Sequence, residues 1–122
     1  MYEEDFVLTE EIEFEIEDRK FTYKPVTAAD ELKWFDEYVE IVDGKTVQDF
    51  DKKTRCKLRN LIKVPYDKEL INKAIGINKV WVDLNNEERS KFLGKLKPSF
   101  FDKILIKINR IDLSDNKQIK KN

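Results

Sequence analysis

The sequence predicts a mainly α, α+β domain: an N-terminal β-hairpin followed by a bundle of four to five short helices. Three observations carry that prediction. Residues 11–17 alternate Glu with Ile or Phe, the period of a half-buried strand. After Thr27 the apolar residues recur at helical spacing. Helix-capping residues, Pro and Gly punctuate that part at short intervals.

The elements follow in order. Residues 1–10 read as a loose arm with a short apolar cluster, Phe6, Val7 and Leu8. The hairpin spans 11–24. Ile12, Phe14 and Ile16 share one face, and Phe21 and Tyr23 continue it on the second strand. Asp18-Arg19 is the expected connection, although it lacks the Gly that tight primed turns favour. A lone hairpin is marginal in water and must pack on something. Pro25 ends it, and the helical part runs 27–113. Thr27, with Asp30 three residues on, caps a helix expected over 28–43. Leu32, Phe35, Val39 and Val42 form its expected core stripe, with Trp34, Tyr38 and Ile41 as a second stripe. Gly44 is its expected left-handed cap.

A second helix is expected over 48–63, with Phe50 at its start and Leu58, Leu61 and Ile62 inward. Its polar face is basic: Lys52, Lys53, Arg55, Lys57, Arg59 and Lys63. Asp67 caps a short helix over 68–75, closed by Gly76. Residues 77–84 stay open between strand, as Val80-Trp81-Val82 favours, and an irregular connection. Asn85 and Glu88 make a capping box for a helix over 86–96. The last helix is expected to be capped by Ser99, with Phe101, Ile104, Leu105, Ile108 and Ile111 as its stripe. Phe100 and Ile106 are an apolar surplus outside it. Residues 1–113 read as a single domain and 114–122 as a disordered basic tail.

Composition excludes several chemistries. The 122 residues include no His, one Cys and three Gly. Without His there is no Ser-His-Asp or Cys-His catalysis. One Cys gives no internal disulfide and no Cys-rich zinc site. Three Gly exclude a glycine-rich dinucleotide cradle. Cys56 lies between Arg55 and Lys57, which favour a reactive thiolate, but without a His partner it reads as a structural thiol. Signal-peptide features and an apolar run near the ~18 residues of a membrane span are both lacking. The expected location is cytoplasmic.

The net charge of −1 hides a polarity. Residues 1–18 carry nine acids and no base, while 91–122 carry nine bases and three acids. Its bland reading is a solvated surface in which the acidic strand faces basic helices of its own fold. The functional readings are head-to-tail self-association, hence a homo-oligomer, or a basic partner.

Four motifs invite chemistry and are better explained otherwise. Gly44-Lys45-Thr46 imitates the end of a phosphate loop, but Val39 stands where the first Gly belongs. Asp83 to Glu88 resembles a calcium loop without its sixth-position Gly, and helix capping explains it. The Glu13, Glu15 and Glu17 row and the Asp36 and Glu40 pair lack a cleft that would separate their pKa values. The basic face, with Lys117, Lys120 and Lys121, suits phosphate backbones, but no DNA-binding signature accompanies it. No catalytic, cofactor or metal site is therefore expected.

The stretch from Phe14 to Asp30, FEIEDRKFTYKPVTAAD, resembles the opening of tail assembly chaperones and related small tail-region proteins of long-tailed phages and prophages. Those proteins begin with a short hairpin and then step through Lys or Arg, Pro, an apolar residue and Thr into a helix. The resemblance implies a non-enzymatic cytoplasmic assembly factor that holds apolar helical segments of a tape-measure protein and recruits tail-tube subunits. The residues expected to meet such a partner are Trp34, Tyr38, Ile41, Trp81, Phe100, Phe101 and Ile106. The alternative is a small nucleic-acid-binding regulator using Lys52, Lys53, Arg55, Lys57 and Arg59 with the tail. Nucleic acid is the weaker expectation, and a membrane partner is not expected.

Overall fold

The computed structural model describes the backbone of residues 2–121 and the side chains of residues 2–113. Its class is α+β. The N-terminal hairpin pairs β1 (Ile12–Ile16) with β2 (Arg19–Tyr23), antiparallel, with Phe14 opposite Phe21. Alternation does what it predicts: Phe14, Ile16, Phe21 and Tyr23 are buried, and Glu13, Glu15 and Lys20 face solvent. The turn is Glu17-Asp18, one residue earlier than expected. Both residues have positive φ, 49° and 67°, the primed geometry that matches strand twist. The Arg19 guanidinium donates to the Glu17 carbonyl at 2.8 Å and braces it.

Helix α1 spans Ala28–Tyr38, opened by the expected Thr27–Asp30 capping box. It stops five residues short of expectation. Val39–Val42 is strand β3, and it pairs with β4 (Lys45–Gln48) in a second hairpin. Asp43-Gly44, at φ 51° and 77°, is a two-residue turn and not a helix cap. β-branched residues on both sides of an Asp-Gly pair favour that outcome. The core stripe is also corrected. Trp34 and Tyr38 are buried, whereas Leu32 is 75% and Phe35 45% exposed. With the helix ending at Tyr38, Trp34 and Tyr38 are the buried residues of α1.

Helix α2 runs Phe50–Leu61, capped by the Asp49 carboxylate, which accepts from the Asp51 and Lys52 N–H groups. Cys56, Leu58 and Leu61 are buried, and Phe50 is exposed. Ile62–Lys63 leaves the helix as strand β5 and pairs with β2, making a sheet of order β1-β2-β5. Pro65 disfavours helix in the residue before it, which releases this stretch for pairing. Helix α3 (Lys68–Ile75) forms over the expected residues, capped by Asp67 and closed by left-handed Gly76. Residues Trp81–Asp83 form a single 3-10 turn and no strand. Burial of the Trp81 indole, whose Nε1 donates to the Ile62 carbonyl at 3.1 Å, outweighs the strand preference of its neighbours.

Helix α4 spans Asn86–Leu93, with the expected Asn85–Glu88 box. Leu96 therefore lies beyond its end. Helix α5 spans Pro98–Lys121 and begins at Pro98, so Ser99 sits in its first turn instead of capping it. Pro fits there because the first helical N–H has no partner to lose. Ile104 and Ile108 of α5 are fully buried. The backbone of 114–121 continues α5 over the expected disordered basic tail, whose side chains lie outside the described residues.

The helices are not clearly a bundle. α1 packs on α2, α2 on α4 and α4 on α3, while α5 lies along β1. Aromatic rings join the layers, with Phe14 stacked on Phe21 at 5.5 Å and Tyr66 set between Phe21 and Phe92. Among the described residues, no helix is long and apolar enough to cross a membrane.

Candidate protein-binding surfaces

The expected partner residues separate into three groups. Trp34, Tyr38 and Trp81 are core, so these three are corrected from anchors to packing. Tyr38 donates its hydroxyl to the Glu31 carbonyl, and Lys53 lies over its ring at 5.5 Å. Arg89 stacks on Trp81 at 4.9 Å and donates to its carbonyl. Ile41, 80% exposed, and Ile106 do face solvent. Phe100 and Phe101 are half-buried, each lining a different cleft.

The first surface is apolar and runs through residues 32–50. Leu32 and Phe35 lie on the outer side of α1. The chain then passes directly into β3–β4, a two-stranded sheet in which only Val39 is half-buried and the other seven residues are exposed. Ile41 lies opposite Thr46, and Val47 lies opposite Glu40, so each face of the ribbon carries an aliphatic side chain. Val47 and Phe50 border one hollow at the ribbon's base. Sequence reasoning placed Leu32, Phe35 and Val42 in the core and took Gly44 for a helix stop. The Asp43-Gly44 pair between β-branched residues was the available signal.

The second surface is a groove of about 630 Å³ where the hairpin turn meets the start of α5. Tyr66, Leu70, Phe92, Leu96 and Phe100 form its floor. Arg19, Lys95, Lys97 and Lys103 supply four cations against one acid, Glu17. Arg19 lies over the Phe100 ring at 5.4 Å, and Lys103 meets Glu17 at 3.4 Å. These cations come from two separated stretches of sequence, which is why no linear motif displays them.

A third cleft, of about 530 Å³, lies between α2 and α4 and is lined by Arg55, Arg59, Ser90 and Phe101 among others. Arg59 Nη2 donates to Glu37 Oε2 at 3.0 Å and to Cys56 Sγ at 3.3 Å. The Cys56 thiol donates to the same carboxylate oxygen at 2.7 Å. Burial, followed by the Glu37 carboxylate, pushes this thiol up to about 11. It stays protonated at neutral pH and is a packing group, not a nucleophile.

The basic face of α2 is largely consumed within the chain. Lys52 pairs with Glu40, Lys53 with Glu31, Lys57 with Asp112, Arg59 with Glu37 and Lys63 with Glu11. Lys57 is itself buried. Arg55 opens instead onto the third cleft. Part of the end-to-end charge polarity is spent the same way, through Glu11–Lys63 and Glu17–Lys103.

No protein-family model, curated protein or solved structure matches this chain. The likeness over Phe14 to Asp30 therefore stands on those residues alone.

Proposed function

We propose that this chain is a protein-binding module without chemistry of its own, an assembly chaperone or adaptor for phage-tail-like particles that works in the cytoplasm. The observation that carries the reading is the exposed apolar run of α1 and β3–β4: Leu32, Phe35, Ile41, Val42, Val47 and Phe50. A two-stranded ribbon with aliphatic side chains on both faces gains little from its own fold. Such a surface suits a partner that covers it. Leu32 and Phe35, one helical turn apart, form a ridge against which an apolar helix of a tape-measure protein packs. The charged remainder keeps the complex in solution. The nucleic-acid reading draws less support, because four of the five bases of α2 are held by acids of the same chain.

The test is co-purification of the full chain with the tape-measure and tail-tube proteins of a long-tailed phage, taken from the genes flanking its own where these encode them. Stable capture of either supports the reading, and failure to capture both removes it.

A further inference from the structure

The groove between the hairpin turn and α5 is an apolar trough with four cations on its rim. A matching ligand is acidic and apolar at intervals. The chain carries such a segment at its own start. Residues 2–11 hold five acids and no base, and Tyr2, Phe6 and Leu8 are exposed, the latter two at 65% each. No other stretch of ten described residues combines that charge with three exposed large apolar side chains.

The arm joins the hairpin at the end away from the groove. The arm enters β1 at Ile12, opposite Tyr23, whose hydroxyl meets Asp112 of α5. The groove opens at the far end of the same hairpin, where Glu17 meets Lys103. Nine residues of α5 separate Lys103 from Asp112, about 13 Å of helix. Within one chain the Glu3–Asp5 turn rests on α5 and not in the groove.

We propose that the groove binds the acidic N-terminal arm of a second copy of this chain, with Arg19, Lys95 and Lys97 facing Glu3, Glu4 and Asp5, and Phe6 or Leu8 on the Leu70–Phe100 floor. Each copy offers one arm and one groove, so the contact closes as a reciprocal arm exchange between two copies or repeats as a ring or an open filament. This goes beyond the partner reading, uses a different surface and stands or falls separately from it.

The test is sedimentation of the full chain at low ionic strength, with two variants checked for unchanged circular dichroism. One neutralises the arm (Glu3→Gln, Glu4→Gln, Asp5→Asn), and the other neutralises the groove (Lys95→Gln, Lys97→Gln). The unaltered chain is expected to associate with rising concentration and to dissociate as salt is added. Each variant alone is expected to self-associate at least about tenfold more weakly. Mixed one to one, they retain one intact arm and one intact groove between them, so the mixture is expected to stop at a dimer. A chain that stays monomeric at every concentration overturns the proposal. So does association that survives groove neutralisation, and so does a mixture that forms no dimer or grows past it.

Discussion

The Tyr23 hydroxyl donates to Asp112 Oδ2 at 2.8 Å and so ties the end of the hairpin to the last helix across 89 residues of sequence. Lys57 of α2 pairs with the same carboxylate oxygen, and Asp112 Oδ1 accepts from the Val26 N–H at 3.3 Å. One carboxylate thus joins sheet, α2 and α5. Lys57 and Asp112 keep only 11% and 13% of their side-chain surface. Removing one partner strands the other charge in a place that water barely reaches.

Asp112→Ala is accordingly expected to cost about 3–5 kcal/mol, read from urea unfolding. Tyr23→Phe, which removes one hydrogen bond and keeps the ring, should cost about 1 kcal/mol. Exchanging Lys57 and Asp112 together for Met and Leu should recover most of the loss. A cost for Asp112→Ala no larger than for Tyr23→Phe would show that the carboxylate is not the junction described.

Stability should fall in alkali, starting near pH 9. The Cys56 thiol ionises near its ordinary value of 9 when unfolded, but only near 11 when folded. Below pH 9 both states hold the proton, and the contribution is intact. Between 9 and 11 the unfolded chain releases it first, so unfolding gains, by about 2–3 kcal/mol over the interval. Burial also raises Tyr23, Tyr38 and Tyr66, so the decline should continue past the ordinary tyrosine range. Urea midpoints measured from pH 7 to 11 check this. Cys56→Ala should remove the first part of the slope and leave the tyrosine part.

Gly44 has room for a side chain, since a Cβ there would meet nothing within 4 Å, but its φ of +77° disfavours one. Gly44→Ala should therefore loosen β3–β4 by about 1 kcal/mol through backbone strain alone. The ribbon bears on little else, so the effect should be local. Amide exchange should speed up at residues 39–48 and stay unchanged in β1 and β2. Equal acceleration in both hairpins would mean that the ribbon is not a separate unit.

The first hairpin was legible in the sequence because one face is buried and the other solvated, which writes a period of two into the residues. Most helix starts were legible because Thr27, Asp67 and Asn85 make local hydrogen bonds that depend on nothing distant. The second hairpin was not. Leu32, Phe35, Val39 and Val42 continue a helical spacing across a point where the helix has already stopped, and apolar spacing looks the same whether a core or a partner covers it. Asp112 reads as an ordinary helix-surface acid until the fold brings Tyr23 and Lys57 to it. The basic groove has the same cause, since Arg19 and Lys95 to Lys103 meet only in three dimensions.

The proposed function requires the outer side of α1 and the β3–β4 ribbon to be a binding face. Its most direct test is the affinity for the tape-measure or tail-tube partner, measured by titration calorimetry for the unaltered chain and for Leu32→Ser, Phe35→Ser, Ile41→Ser combined. Leu32 and Ile41 are 75% and 80% exposed, so each of these changes should move stability by no more than about 0.5 kcal/mol, and loss of the edge contact between Phe35 and Tyr38 should add about 1 kcal/mol. Trp34→Ala, one residue away on the buried side, should cost about 3–5 kcal/mol. The triple variant is expected to stay folded and to bind at least tenfold more weakly. Unchanged affinity in a folded triple variant would contradict it.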